Sequence, residues 1–505
     1  MDEASVPIRR RPTRTLAPGV WLAWAAALTA CGPAPASTPV ADTVLVTGVA
    51  QPATDQQPDR SLSRVAALLG RAALLRLDRR CRALPALAER AVPTADGHGW
   101  TIVLRPGLRF HDGSPLDADA VVAALAPANP DPLFQPPGLR DIAAVTALDA
   151  RTVSIALRAP AALLPEALAA FEITGGRDGA SGAGPFMPIG SPGATSLELA
   201  AFDQSHRGRP GVDRVVLRSY SSARTAWAAL MRREIDFLYE VSPEATAFVA
   251  SSGDAQVRSF LRSYVYAVGF NVAHPALRSA EVRRRLAASV DRRAVIEHVF
   301  GGRAVPAVDP VWPIHWAHDD LPLSAEDMAA AAARRDGTPP AAFAPRLTLR
   351  CLVPAGSPLF ERLALHVQHA MLEAGVDLRL EPVPLAELSR RLARGDFETY
   401  LLEMNGFGLN WTYWLWHSQA SRPFVASGYR AADGALDALR HADTDEALRA
   451  RLRVVRATLQ DDPPAIFLCW PLTARAVTTR FALPTGEEHD ILASLDRWLA
   501  VVREP

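Results

Sequence analysis

The sequence predicts an α/β protein with more than one domain, on three observations. At 505 residues the chain exceeds what one ordinary hydrophobic core fills, so two or three domains are expected. Strand patterns at Leu347–Val353, Asp377–Pro382 and Thr399–Glu403 alternate with helical patterns at Leu359–Ala374 and Leu385–Arg394. That alternation suits a partly parallel sheet with helices outside it. No repeat with a period of roughly 20–50 residues recurs, which argues against a solenoid.

Composition narrows the function classes. The chain is 49% hydrophobic and 21% charged, a soluble globular mix. Basic and acidic residues balance at 54 each, so no basic footprint points to nucleic acid. There is no Lys at all, which excludes Schiff-base chemistry and a phosphate-loop Lys.

The first residues read as an address. Arg9, Arg10, Arg11 and Arg14 form a positive segment ahead of the apolar run Val20–Leu28, which is too short to span a bilayer. Residues 1–30 are expected to be a signal peptide. Leu28-Thr29-Ala30-Cys31 has the form of a lipobox, in which Cys31 is lipidated and becomes the new N-terminus. The alternatives are a signal peptide cut elsewhere, or a buried thiol. Residues 31–41, rich in Pro, Ala, Ser and Thr, read as a tether. Of the remaining thiols, Cys81, Cys351 and Cys469, no two stand at metal spacing. Buried free thiols are expected, with a Cys351–Cys469 disulfide as the alternative.

Thr43–Val49 is β-branched and apolar, a first strand. In Gly99–Leu125, Trp100, Ile102 and Leu104 alternate with more polar neighbours, the period of a half-buried strand. Pro106-Gly107 suits a tight turn, and Leu108 and Phe110 resume the alternation, so a hairpin is expected. Asp112-Gly113 marks a second turn, and Asp117 can cap a helix over Ala118–Leu125. Thr152–Leu157, Ser196–Phe202 and Arg214–Tyr220 follow as strands, and Ser222 caps a helix. Gly182–Phe186 reads as a flexible turn between subdomains. It is no nucleophile elbow, because Ala183 stands two residues after Ser181 where Gly is needed. Tyr266–Val272 is a strand. Ser279 and Asp291 cap successive helices, and Gly301-Gly302 stops the second. Asp445–Gln460 is helical, with a last strand near Ala465–Leu468.

Several of these stretches resemble the bacterial extracellular solute-binding proteins of family 5, the peptide, dipeptide and nickel receptors of ABC importers. The longest is Gly99–Leu125, GWTIVLRPGLRFHDGSPLDADAVVAAL. Pro85–Glu89, Gly182–Phe186, Ala229–Asp236, the stretch from Tyr266 to Val295 and Asp461–Leu468 add to it. The resemblance implies a two-lobed, periplasmic-binding-protein-like fold of type II, in the large three-subdomain form with mixed sheets and flanking helices. It places lobe I at 42–268, with a subdomain inserted at about 61–183, lobe II at 269–470, and a return to lobe I at 471–505. Crossings are expected at Gly269–Asn271 and Trp470–Leu472. Arg233 stands where the family has Gly, so the preceding helix is expected to end differently here.

The candidate site is the run Met404–His417, where Trp411, Trp414 and Trp416 cluster. It is read either as packed core or as an aromatic wall facing a cleft. In peptide-binding relatives this region carries an Asp that holds the ligand's ammonium group. That position falls near Phe407, and no Asp lies in the run. Candidate ligand contacts are Asn271, Phe407, Asn410, Trp411, Tyr413 and Trp414, with Trp411 and Trp414 as the wall. His366 and His369 stand three apart but on the polar side of an apolar-faced helix, and are read as solvated rather than as metal ligands. His111-Asp112 is read as part of a turn. No catalytic constellation, metal site or cofactor is expected. The resemblance implies a receptor, not an enzyme: a monomer, tethered to a membrane by its lipid, handing a peptide-like or other small solute to ABC permease subunits. The alternatives are a receptor for a metal chelate or haem, a secreted hydrolase on the same scaffold, and a transcriptional regulator. The signal peptide argues against the last.

Overall fold

The computed structural model describes residues 42–501, apart from 51–57, 127–135, 178, 191–192, 194, 320–327, 331, 333–341, 422–423 and 487. The signal segment, Cys31 and the tether lie outside the described residues.

A long mixed sheet of twelve strands organises the chain from Asp42 onward. Its centre is the fourteen-residue strand Ala465–Thr478, buried along most of its length. The two ends of this strand have different partners. Ala465–Cys469 pairs with Tyr266–Gly269, and Cys469–Pro471 pairs with Ala304–Pro306. Leu472–Thr478 pairs instead with the strand Ala255–Leu261 and, more weakly, with Phe237–Val241. One strand therefore belongs to two bodies.

On the N-terminal side, Val44–Ala50 runs parallel to Arg214–Tyr220 and Phe237–Val241. Ser196–Ala201 and Phe186–Ile189 complete that body. Leu45, Phe186, Leu199, Phe237 and Trp498 form its core. On the other side, Leu347–Pro354 pairs in parallel with both Val376–Val383 and Thr399–Asn405. The helices Pro358–Glu373 and Leu385–Arg394 connect these strands, as the alternation predicts. We call this the second body. Cys351 and Cys469 share its core as free, buried thiols, and Cys81 is likewise free. Burial pushes the Cys351 and Cys469 thiols up to about 12, so they sit as inert apolar groups.

The inserted body is a four-stranded antiparallel sheet, Ala88–Pro93, Gly99–Leu104, Thr152–Leu157 and Ile142–Ala147 in spatial order. Its own core contains Ile102, Leu104, Phe110, Val121 and Ile155. Asp117 caps the helix Ala118–Leu125 by accepting from Ala120 N at 3.1 Å. The Pro106-Gly107 hairpin does not form. Gly99–Leu104 pairs with its neighbours in the sheet, while the chain from Leu108 folds back on Leu116 around Asp112-Gly113. Leu108 and Phe110 serve the core rather than a ladder. His111 and Asp112 are structural: His111 N donates to Gly182 O, and Asp112 accepts from Ser114 and Arg177.

Three further expectations change. Gly182–Phe186 is a tight seam rather than a flexible turn. Gly184 N donates to Gly70 O, and a Cβ on Gly182 would sit 2.2 Å from that oxygen. The helix Ala223–Met231 ends as a Gly-terminated helix would, with Arg233 itself at φ 60° and Glu234 N bonded to Ala229 O. An Arg–Asp254 ion pair of 2.9 Å holds that side chain. The first exchange of sheet partners falls at Arg262–Ser263, between Leu261 and Tyr264, rather than at Gly269–Asn271. Gly269 instead makes room for Tyr400, whose ring a Cβ would meet at 2.2 Å. The strand Tyr264–Phe270 is continuous because its apolar side chains feed two cores at once.

Candidate ligand-binding cleft

The run Met404–His417 forms the end of a strand, a short loop and the helix Leu409–Trp416. Gly408, at φ 92°, turns the chain into the helix. This helix lies against the inserted body, where Asn410 and Leu409 N are engaged, while Thr412 Oγ1 and the indole nitrogens of Trp414 and Trp416 are buried without a hydrogen-bond partner among the described residues. Asn410 is 6% exposed. Its Oδ1 accepts from Gly138 N at 2.9 Å and its Nδ2 donates to Leu163 O at 3.0 Å. Leu409 N donates to Glu166 Oε2 at 2.6 Å, and His315 Nε2 lies 3.0 Å from the other oxygen. Farther along, Asp141 meets Arg440 at 3.1 Å and His441 at 3.4 Å. Tyr413 donates to Asp437 at 2.8 Å and accepts from Arg440 at 3.1 Å. Burial raises the Tyr413 hydroxyl above its ordinary range. Trp411 and Trp414 stack on one another at 5.1 Å, and Trp414 is edge-on to Phe424.

Asn271 stands away from this group. It is buried in the second body, where Nδ2 donates to Gly395 O and Phe397 O and Oδ1 accepts from Ala273 N. Those bonds hold the loop before Thr399–Asn405. Of the six candidates, Asn410, Trp411, Tyr413 and Trp414 are brought together, in a junction between bodies. Asn271 is an internal bridge, and Phe407 points elsewhere.

Phe407 leads to a second junction, which the sequence reading missed. Its ring stacks on His489 at 5.0 Å and 26°. Trp312 from the second body and Phe260 from the N-terminal body both stand edge-on to the same imidazole, at 5.0 and 5.3 Å. Trp470, on the shared strand, backs Trp312 at 5.3 Å. The loop carrying His489 is fixed from below. Arg475 is 6% exposed, and its Nε donates to Asp490 Oδ1 at 2.6 Å. Asp490 also caps the turn Ile491–Arg497. Across the junction Arg262 holds Glu403 with two bonds of 2.7 and 3.0 Å. Burial pushes the His489 imidazole down to about 4, with Arg475 acting in the same direction against Asp490. The ring is therefore neutral at pH 7. Its Nε2 is buried and has no hydrogen-bond partner among the described residues. It is one of eleven such side-chain atoms among the described residues, set apart by the rings from both bodies that surround it.

A family model of the bacterial extracellular solute-binding proteins, family 5 (middle region), matches residues 82–423. The chain belongs to this family. Glutathione-binding proteins GsiB of Salmonella paratyphi A and Escherichia coli are each 27% identical to it, over 302 and 268 residues. These alignments cover 52% and 48% of this chain, and the chain spans about half the length of those relatives, 56% and 50%. Among solved structures, the oligopeptide-binding protein AppA of Bacillus subtilis, in complex with a nonapeptide, superposes with a TM-score of 0.73 at 18% identity. That match covers 91% of this chain and 100% of AppA. NikZ of Campylobacter jejuni, in complex with Ni(L-His), gives 0.74 at 18%, covering 90% and 99%. The fold is thus that of the type II periplasmic binding proteins.

Within this family 5 member, the described residues contain no group of three or more His, Cys, Asp or Glu placed to hold a metal ion. His366 faces His298, and His369 faces Glu373. No sequence signal marks His489: it sits in an irregular polar stretch, and its cage is assembled from residues as far away in sequence as Phe260.

Proposed function

We propose that this protein is the solute receptor of an ABC importer, working outside the cytoplasmic membrane and binding its ligand where the N-terminal and second bodies meet at His489. The observation that carries this is the unpartnered Nε2 inside a cage to which both bodies contribute. A solute that supplies its partner binds both bodies at once, and so favours the closed arrangement a permease recognises. The hinge is the pair of partner exchanges at Arg262–Ser263 and Pro471–Leu472, which divide 42–261 with 472–505 from 264–471. Solution scattering should show a smaller radius of gyration with solute, and an unchanged radius would argue for a rigid receptor.

Ligand chemistry follows from what lines the cage. His489 is neutral, three aromatic rings surround it, and the carboxylates of Glu403 and Asp490 are each held by an Arg. By the family resemblance, the carboxylate of peptide-binding relatives falls near Phe407, and no Asp lies in the run 404–417. A planar, uncharged polar group fits this cage, while a buried ammonium would lack a counter-ion. Peptides with a free α-amine should bind poorly and N-acetylated or non-peptide solutes better. A second reading, a metal chelate, is favoured by the same nitrogen, since a neutral imidazole is a common metal ligand. Native mass spectrometry of protein from its own host tests both. A co-purifying organic solute supports the first reading and a metal-bearing mass the second. Turnover of ester or amide substrates would favour the hydrolase instead. Calorimetry with free and acetylated dipeptides then tests specificity: tight binding of the free forms alone contradicts this view of the cage.

The anchor is part of the proposal. Cys31 carries the lipid, residues 1–30 are removed, and the receptor works as a tethered monomer. Intact mass of the mature protein should show the diacylated Cys31, and Cys31→Ser should be released from membranes. An unmodified Cys31 in the wild type rules the anchor out.

A further inference from the structure

The contact between the inserted and second bodies encloses a cavity of about 350 Å³ to which no residue of the His489 cage contributes. That volume lies in the range of small-molecule sites. Trp100, on the strand Gly99–Leu104, and Trp316, from the second body, supply its aromatic surface. Arg82 covers Trp316 at 3.4 Å and donates to Asp445 at 2.7 Å. Glu166 lines the deep side, its oxygens engaged by Leu409 N and His315. Asp443, exposed at the mouth, has no partner among the described residues. The lining thus carries carboxylates at Glu166, Asp443 and Asp445 against the guanidinium of Arg82, which Asp445 already matches. Aromatic faces beside an uncompensated carboxylate attract cations, and they disfavour anions by the same electrostatics.

We propose that this cavity is a second binding site, for a small organic cation with a flat apolar body. The body lies along Trp100 and the ammonium or guanidinium end faces Asp443. Because the walls come from both bodies, occupancy favours their docked arrangement. The site is independent of the cage at His489.

Calorimetry on the full chain with three probes of one shape tests this: 2-phenylethylamine, 2-phenylethanol and 3-phenylpropionate. Only the amine should bind. Asp443→Asn, an exposed change whose melting temperature should match wild type, should weaken the amine roughly tenfold, as should Trp100→Ala. His489→Ala should bind the amine as wild type does. The proposal is overturned if the amine fails to bind, if all three probes bind alike, if Asp443→Asn leaves the affinity unchanged, or if His489→Ala weakens it.

Discussion

Where the second body meets the inserted one, Glu166 pairs with His315 and Leu409 N, Asn410 with backbone groups and Asp141 Oδ1 with Arg440, while Asp141 Oδ2 has no partner among the described residues. Where it meets the N-terminal body, Arg262 and Arg475 are paired but the imidazole of His489 keeps a buried nitrogen without a partner. Both junctions are aromatic, so aromatic density does not tell them apart. The kind and setting of their orphaned atoms do. At and beside the first junction these are Asp141 Oδ2, Thr412 Oγ1 and the indole nitrogens of Trp414 and Trp416; at the second it is one imidazole nitrogen inside a ring cage drawn from both bodies.

The largest expected effect breaks the first junction. Glu166→Ala leaves His315 and Leu409 N buried without their acceptor and should lower unfolding stability by about 3 kcal/mol, read by chemical denaturation. A loss below about 1 kcal/mol would show that this junction is not held by its polar groups. The second effect is on binding. His489→Ala should cut affinity for the co-purified solute roughly thirtyfold, as loss of a central anchor does, with little change in melting temperature. The reverse pattern, stability lost and affinity kept, would make His489 a packing residue.

The third sharpens the contrast through pH. The folded His489 titrates near 4 against an ordinary 6.5. Unfolding therefore takes up a proton between those values, and stability, constant above about pH 6.5, should decline as pH falls toward 4. His206, which burial also pushes down to about 4, adds the same slope. His489→Phe and His206→Phe should each flatten the decline in part, measured as melting temperature from pH 7 to 4, with His111 and His366, which burial also lowers, keeping some of it. A His489→Phe curve parallel to wild type would mean that the imidazole is not sheltered. The smallest effect lies far from both junctions. Arg233 adopts φ 60°, a conformation that costs a residue with a Cβ about 1–2 kcal/mol. Arg233→Gly should therefore stabilise by up to about 1 kcal/mol after the added freedom of the unfolded chain is subtracted, with solute affinity unchanged.

These contrasts mark what sequence could reveal. The strands and helices of 347–405 were legible because each buries one face and so shows its period. Asp117, Ser222 and Asp291 were legible as caps because capping is local chemistry. The hairpin at Pro106-Gly107 was misjudged because Leu108 and Phe110 carry a strand's alternation while serving a core. Arg233 was misjudged because tertiary structure imposes a backbone angle the residue disfavours. Of the aromatic run, Phe407 reaches the second junction. Asn271 and Asn410 bridge backbone groups, and in sequence such an amide looks like one that awaits a ligand. His489 was invisible for the opposite reason: Phe260, Trp312 and Phe407 approach it only in the folded chain.

Hydrogen exchange of the full chain, with and without the solute identified by native mass spectrometry, tests the difference between the junctions most directly. The expected result is new protection at 258–262, 404–408 and 488–491, around the cage, with 163–166 and 409–417 unchanged because they lie outside it. Protection arising at 163–166 and 409–417 instead, with 488–491 unaffected, would place the solute at the junction with the inserted body and contradict the assignment of His489.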